Sequence, residues 1–201
     1  MAQGSAIEAS VRSAIDAGDT ASATDQIVRA LGPEVLAYLL ATHPNLGIAE
    51  DAFSLCCERL WQTLHQFDWR CSLRTWVYRL ARNAVVDVVR GRGVVARRAK
   101  PLSWAPEFEQ LVQRVRTETL SRYKTERRTA LLELRETLSE ADRELLVLRF
   151  EREMKWVEIA EVIGEVSDGA ELKREAARLR KRAQLVRERL VKLGRERGLL
   201  T

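Results

Sequence analysis

Aromatic and arginine side chains alternate between residues 67 and 83, and together they could bind nucleic acid. Trp69 and Arg70 lie in a short predicted loop, and Trp76, Arg79 and Arg82 follow in a predicted helix. Aromatic rings stack on unpaired bases because every base has a π-face, and each stack contributes about 1–3 kcal/mol. Guanidinium groups hold phosphates through paired hydrogen bonds. The pattern predicts a surface for bases pulled out of a duplex, although the tryptophans could instead fill a core.

The helix predicted from Ser72, a plausible N-cap, to about Arg90 has two distinct faces. One face is an apolar stripe with i, i+3, i+4 spacing, typical of a buried surface; it consists of Val77, Leu80, Ala81, Ala84, Val85 and Val88. At 100° per residue, the opposite face consists of Trp76, Arg79, Arg82, Asn83, Val86 and Arg90. For Trp61, in the preceding helix, core packing is the favoured interpretation.

A second basic element follows near the C-terminus. A short helix over 156–162, a turn at Gly164 and a basic helix over about 170–193 have the order of a helix-turn-helix. Such a helix fits the major groove, where Lys181 and Gln184, one turn apart, could reach base edges while flanking arginines hold phosphates. The alternative is an ordinary helical domain with a solvated arginine-rich face.

Charge is arranged in alternating blocks along the 201 residues. Residues 1–69 carry a net charge of −6, residues 70–128 of +10, residues 129–170 of −6 and residues 171–201 of +7. Two acidic-then-basic cycles suggest two modules, each with a basic surface for a polyanion. Solvated helix faces rich in Arg and Glu would give the same blocks.

The elements predict an all-α protein with two small helical domains and a linker. Residues 1–23 are predicted to form a mobile tail or a weak helix, and residues 24–92 a first domain whose first helix, over 26–42, could break at Pro33. Residues 93–126 are predicted to be a linker that is helical from about 108 to 122. Residues 127–201 are predicted to form the second domain, with helices over about 127–137 and, capped by Ser139, over 140–151 before the helix-turn-helix.

Enzymatic, metal and membrane functions find little support in the sequence. It has no nucleotide-binding glycine loop, HExxH or GxSxG motif, so we predict no enzyme and no cofactor. His43, His65 and the three cysteines lack metal-ligand spacing, so no metal is expected. No apolar run is long enough to span a membrane and the N-terminus lacks signal-peptide features, so a cytoplasmic location is expected.

Residues 49–90 resemble the conserved second region of bacterial RNA polymerase sigma factors of the extracytoplasmic-function (ECF) type. The shared pattern is the acidic pair Glu50-Asp51, Leu60-Trp61, an aromatic loop, and the run from Ser72 through Arg82-Asn83 to Asp87. Residues 138–164 (LSEADRELLVLRFEREMKWVEIAEVIG) resemble the start of the fourth region of the same family. The resemblance covers about residues 26–92 and 127–193.

The resemblance implies partners as well as a fold. Core RNA polymerase would bind the helix over 49–61 through its clamp helices, and promoter DNA would bind both domains; members are commonly held by an anti-sigma protein. The implied polymerase contacts are Glu50, Asp51, Ser54, Glu58 and Trp61. The implied contacts to the −10 element, with a flipped base in the loop, are Phe67, Trp69, Arg70, Ser72, Arg74, Trp76, Arg79, Arg82, Asn83 and Arg90. The implied contacts to the −35 element are Arg174, Arg178, Arg180, Lys181, Arg182, Gln184 and Arg187.

The chain departs from the family pattern at two places. Ser54-Leu55 stands where members usually have Gln-Glu, and residues 165–177 insert roughly ten residues before the recognition helix. The insertion predicts either a longer turn or a recognition helix extended at its N-terminus.

Two other functions remain open from the sequence. A polymerase-independent helix-turn-helix regulator would form a homodimer on a palindromic site. An interaction protein that uses helical faces alone would show no salt-dependent binding to nucleic acid.

Overall fold

A computed structural model describes residues 2–43, 45–91, 106–126, 137–164 and 169–197. Within these residues the fold consists of α-helices without β-strands, which confirms the all-α prediction. The helices are α1 (Ala2–Asp16), α2 (Thr20–Thr42), α3 (Leu46–Thr63), α4 (Leu73–Val89), α5 (Pro106–Glu126), α6 (Glu140–Leu146), α7 (Trp156–Ile163) and α8 (Gly169–Glu196).

Helix α2 is the centre of the first domain, and α1, α3, α4 and α5 pack around it. The apolar side chains predicted to form its buried face, from Ile27 to Leu40, are all buried. The helix begins earlier than expected because an Asp19 carboxylate oxygen accepts the Ser22 amide hydrogen at 2.9 Å. It also continues through Pro33, which lies on the exposed side, where water can satisfy the carbonyl that proline leaves without a donor.

The N-terminal segment differs from the predicted mobile tail. Residues 2–16 form α1, and its Val11 is fully buried against the core. A tight turn reverses the chain onto α2: Gly18 has φ +75°, a conformation that glycine adopts without strain. Ser10 then donates a 2.8 Å hydrogen bond to Gln26 of α2. Half-buried Ile7, Ala14 and Ile15 pack against the core beside Val11, so the segment forms the helix that was the alternative to a tail.

The C-terminal part of the predicted linker is a packed helix. Helix α5 begins at Pro106, a favoured first helical residue, and contains the helix expected over 108–122. Its buried side chains are Phe108, Leu111, Val112 and Val115. Helix α5 packs on α2, and the approach is close at Gly32, where an added Cβ would be 3.2 Å from Val115. Residues 93–105 of the linker lie outside the described residues.

The segment predicted to form the second domain contains α6, α7 and α8 in the described part of the chain; the helix predicted over 127–137 lies almost wholly outside it. Ser139 caps α6 as predicted, accepting the Asp142 amide hydrogen at 3.2 Å. The predicted helix over 140–151 loosens after Leu146 into one π-helical turn, Val147–Glu151. Gly164 ends α7 as expected.

Helix α8 settles part of the question raised by the insertion at 165–177. The helix begins at Gly169, so residues 169–177 extend it at its N-terminus. Its 28 residues span about 42 Å at 1.5 Å per residue. The sequence predicts an apolar seam along this helix, of which Ala176, Leu179, Ala183 and Val186 are buried and Leu172, Leu190 and Leu193 are half-buried.

The close approach at Gly32 predicts a stability difference between two valine substitutions in α2. Gly32→Val should lower the free energy of unfolding by about 1–3 kcal/mol, because the larger side chain overpacks the α2–α5 contact. Ala30→Val, on the exposed side of the same helix, should cost less than about 1 kcal/mol through helix propensity alone. Urea unfolding followed by circular dichroism measures both; equal losses would show that α5 does not pack there.

Candidate nucleic-acid interface

Three aromatic rings between α3 and α4 form one stack, which we call the aromatic cluster: Phe67, Trp69 and Trp76. The ring centroids of Phe67 and Trp76 are 4.7 Å apart at 24°, and those of Phe67 and Trp69 are 4.7 Å apart at 48°. Phe67 and Trp76 are each only 8% exposed, whereas Trp69 is half-buried at the end of the stack. The cluster therefore has one member, Trp69, placed at the surface.

The position predicted for Trp76, on the exposed polar face of α4, is wrong. Phe67 folds back over the first turn of that helix and covers the indole ring. A helical projection places Trp76 opposite the apolar stripe, but it contains no information about a loop that returns over the helix. Trp76 and Phe67 consequently support the loop from inside.

The backbone at Trp69 is left-handed, with φ +60°. For a bulky non-glycine residue this conformation costs on the order of 1–3 kcal/mol and persists only where neighbours hold it. The residues on either side of Trp69, Asp68 and Arg70, contact each other: Asp68 accepts the Arg70 amide hydrogen at 3.3 Å and pairs with its guanidinium at 2.8 Å. A third neighbour is remote, because the Arg12 guanidinium lies 4.3 Å from the centroid of a Trp69 ring.

The N-terminus of α4 is capped from two directions. Ser72 is the N-cap, as predicted, and its hydroxyl oxygen accepts the Thr75 amide hydrogen at 3.1 Å. A Glu8 carboxylate oxygen accepts the Leu73 amide hydrogen at 2.8 Å. Both bonds satisfy helix-end donors, and the carboxylate also interacts favourably with the positive end of the helix dipole. Glu8 and Arg12 were not predicted as site residues, since nothing in the sequence links them to a loop sixty residues away.

The arginines predicted on α4 differ in their surroundings. Arg74 binds both carboxylate oxygens of Glu34, at 2.8 and 3.1 Å, and donates to the Arg152 carbonyl at 2.9 Å. Arg82 pairs with Glu144 at 3.2 Å. Arg79 is half-buried close to Glu161, whose pKa burial raises although the arginine charge opposes this. These three guanidinium groups lie beside carboxylates rather than in open solvent.

Other predicted residues of this region are accessible. Asn83 and Arg90 of α4 and Arg70 of the loop are exposed. Asn83 and half-buried Trp69 therefore both avoid the deep interior, where no strand could reach them. The loop precedes α4, and Arg90 follows its last residue, so the accessible residues are spread along the whole length of that helix.

Helices of the second domain lie directly on the α4 face. Helix α7 packs along α4, and α6 packs on α2. Glu144 of α6 accepts a 2.6 Å hydrogen bond from the Tyr38 hydroxyl in addition to its pair with Arg82. Burial, assisted by the Glu144 charge, raises the pKa of Tyr38 well above its usual value. Arg143 donates to the Thr42 carbonyl at 3.2 Å. The two predicted domains are thus in contact, through polar groups that flank an apolar centre.

The face of α3 predicted to bind polymerase is partly covered by α5. Glu50 forms an ion pair with Arg116, and the rings of Trp61 and Phe108 lie 4.9 Å apart. Trp61 is therefore a packing residue in this arrangement, as its favoured interpretation stated. Ser54 donates to the Glu50 carbonyl within its own helix, and Glu58 is partly buried, which raises its pKa. Asp51 is half-buried on the same helix.

Helix α8 presents the predicted basic face with one exception. Arg182 forms a 2.7 Å ion pair with Asp142 and fastens α8 to α6, so it is a structural contact here. Arg178 pairs with Glu175, and Gln184 donates to Glu188 at 3.1 Å, both on the helix surface. Residues left exposed on this helix are Arg174, Arg178, Arg180, Lys181, Gln184 and Arg187.

A groove beside the basic face was not predicted. It has a volume of about 730 Å³ and lies between α8 and the aromatic side chains Phe150 and Trp156. Phe150 is 54% exposed, and the Arg149 guanidinium lies 5.2 Å from the centroid of a Trp156 ring. The exposure of Phe150 follows from the π-helical turn, which a regular helical period does not predict.

The cysteines and acidic groups give no sign of redox or metal chemistry in the described chain. Burial raises the pKa of Cys56 to about 12, so its thiol stays protonated at neutral pH. Among the described residues, His, Cys, Asp and Glu side chains form no group of three suited to a metal ion. None of the described helices is both long and apolar enough to cross a membrane.

Residues 27–94 match the Sigma-70 region 2 family. The matched segment, about a third of the chain, runs from within α2 past the end of α4, so it contains the aromatic cluster, the α3 face and the basic residues of α4. The match shows that this segment is similar to region 2 of Sigma-70-type factors, and it does not extend to the rest of the chain. No curated protein matches the chain significantly.

Removal of the Glu144 carboxylate should loosen the contact between the domains. Glu144→Ala leaves the Arg82 guanidinium and the Tyr38 hydroxyl without their partner, at a cost of about 1–3 kcal/mol. We expect faster amide hydrogen exchange in α4 and α6, measured by mass spectrometry. Glu196→Ala removes the same charge from an exposed position and should leave those helices unchanged. Unchanged exchange in α4 of the Glu144 variant would contradict the contact.

Proposed function

We propose that this protein is a sigma factor of the ECF type that binds core RNA polymerase and directs it to promoters. The loop and α4 would bind the −10 element and assist melting, and α8 would bind the −35 element. Binding energy, rather than covalent chemistry, does the work. A polymerase partner also implies a cytoplasmic location.

The observation that carries the proposal is the position of Trp69. Its indole ends the aromatic cluster at the surface, on a left-handed backbone, within the segment that matches Sigma-70 region 2. A base that leaves a duplex loses stacking energy of a few kcal/mol. Stacking on an indole ring that is already held in place offsets that loss. Phe67 and Trp76 support the Trp69 ring from the protein side, so the side chain loses little conformational entropy when a base binds.

The basic side chains of α4 supply phosphate contacts once they are accessible. Asn83 and Arg90 are exposed already, whereas Arg79 and Arg82 face the carboxylates of Glu161 and Glu144. A DNA strand and these carboxylates compete for the same guanidinium groups, because both are anionic oxygen acceptors. Promoter binding therefore requires α6 and α7 to move away from α4.

Polymerase binding to α3 likewise requires contacts within the protein to be displaced. Asp51, Ser54 and Glu58 lie on that helix, while Glu50 and Trp61 are held by Arg116 and Phe108 of α5. The clamp helices would replace α5 at these two residues.

On α8, exposed Lys181 and Gln184 lie about one turn apart, which lets both reach the same stretch of major groove. An anti-sigma protein stays a prediction from the resemblance alone.

Capture of polymerase tests the proposal at its first step. Full-length tagged protein should retain core RNA polymerase from a purified preparation, and the complex should give runoff transcripts from a promoter selected out of a randomised duplex library. Asp51→Ala should weaken the capture. A stable homodimer that binds a palindromic duplex alone and retains no polymerase would instead identify a polymerase-independent regulator.

Trp69 should matter for strand opening more than for polymerase binding. With the holoenzyme, Trp69→Ala should slow opening at the selected promoter by about fivefold to a hundredfold, the range for losing one base stack. Trp69→Phe keeps a π-face and should retain most of the rate. Permanganate reactivity of unpaired thymines measures opening. If Trp69→Ala captures polymerase and opens promoters at the wild-type rate, the loop does not receive a base.

A further inference from the structure

Helix α1 lies outside the segment that matches Sigma-70 region 2, yet two of its side chains reach the aromatic loop. Glu8 and Arg12 are one helical turn apart, so they project from the same face. Glu8 accepts the Leu73 amide hydrogen at 2.8 Å, and the Arg12 guanidinium lies 4.3 Å from a Trp69 ring centroid. One contact fixes the start of α4, and the other fixes the ring that precedes it.

The platform behind these two side chains is firmly held. Val11, between them in the turn, is fully buried, and Ser10 bonds to Gln26 of α2. The connection between α1 and α2 is short and well defined, because it consists of the tight turn at Gly18 and the Asp19 cap. The positions of Glu8 and Arg12 relative to the loop are therefore fixed by the packing of α1 on α2.

The loop needs such support because Trp69 adopts a strained backbone conformation. Its φ of +60° is maintained by local contacts of Asp68 and Phe67 and by Arg12 from outside the loop. Loss of the remote contact leaves the ring with more accessible orientations, and ordering it again would oppose base binding.

We propose that α1 is a working part of the base-binding loop, with Glu8 and Arg12 as positioning residues that hold the N-terminus of α4 and the ring of Trp69 in the pose that stacks on a base. This inference rests on the proposed function for its consequence in transcription. Its physical content, that Arg12 fixes the Trp69 ring, stands independently and can be measured without DNA.

The first experiment observes the ring itself in full-length protein. In nitrogen-15 NMR spectra, the indole signal of Trp69 is assigned by its disappearance in Trp69→Phe. Arg12→Gln should shift this signal, while Arg12→Lys, which keeps a cation over the ring, should shift it less. Arg29→Gln removes the same charge from an exposed position on α2 and should leave the signal in place. A Trp69 signal unaffected by Arg12→Gln would overturn the proposal.

The second experiment measures coupling in the holoenzyme at the selected promoter. Arg12→Gln should slow opening by about two- to fivefold, the factor expected for one partly exposed cation–π contact. In a Trp69→Ala background the same substitution should have no further effect, because a positioning residue acts only through the ring it positions. An equal slowing in both backgrounds would show a general structural role and overturn the proposal. If Trp69→Ala alone leaves opening unchanged, the proposed function fails, and the NMR result still decides whether Arg12 positions the ring.

Discussion

The stacking of Phe67 on Trp76 is the contact on which the arrangement of the site depends. It turns the end of α3 back over the first turn of α4, and it places Trp69 at the outer end of the aromatic cluster with a left-handed backbone. Without that buried pair, no aromatic contact would hold the loop against α4, and the orientation of the Trp69 ring would not be fixed. The buried pair forms a rigid floor under Trp69, and the Arg12 guanidinium lies 4.3 Å from the centroid of a Trp69 ring.

Ion pairs within the protein involve several of the charged residues predicted to bind DNA or polymerase on α4 and α3. Glu34, Glu144 and Glu161 lie at the arginines of α4, and Arg116 of α5 lies at Glu50 of α3. These pairs are partly exposed, so each contributes modestly, and a polyelectrolyte partner with many phosphates can displace them. Under the proposed function, movement of α6 and α7 away from α4 would uncover Arg79 and Arg82, whereas Arg74 would keep its pair with Glu34 of α2.

Periodicity predicted the helices and their buried faces because burial is a local property of the pattern. The stripes of α2 and α8 follow from it directly, whereas the caps at Ser72 and Ser139 follow from a serine hydroxyl at the start of a helix. The misplacement of Trp76, and the absence of Glu8 and Arg12 from the predicted site, have a different cause. Those contacts join residues far apart in the chain or depend on a loop that folds back, and neither leaves a periodic signal. Helix α1 is also weakly apolar, so only its docking on α2 makes it a defined element.

Photo-crosslinking tests the central claim, contact between Trp69 and an unpaired base, most directly. A promoter carrying 5-iodouracil in the non-template strand of the −10 element would be opened by the holoenzyme and irradiated, and the crosslinked tryptic peptide would be sequenced by mass spectrometry. The account predicts a crosslink at Trp69, in the peptide from Leu60 to Arg70. Crosslinks confined to other peptides, in complexes whose thymines are demonstrably unpaired, would contradict it.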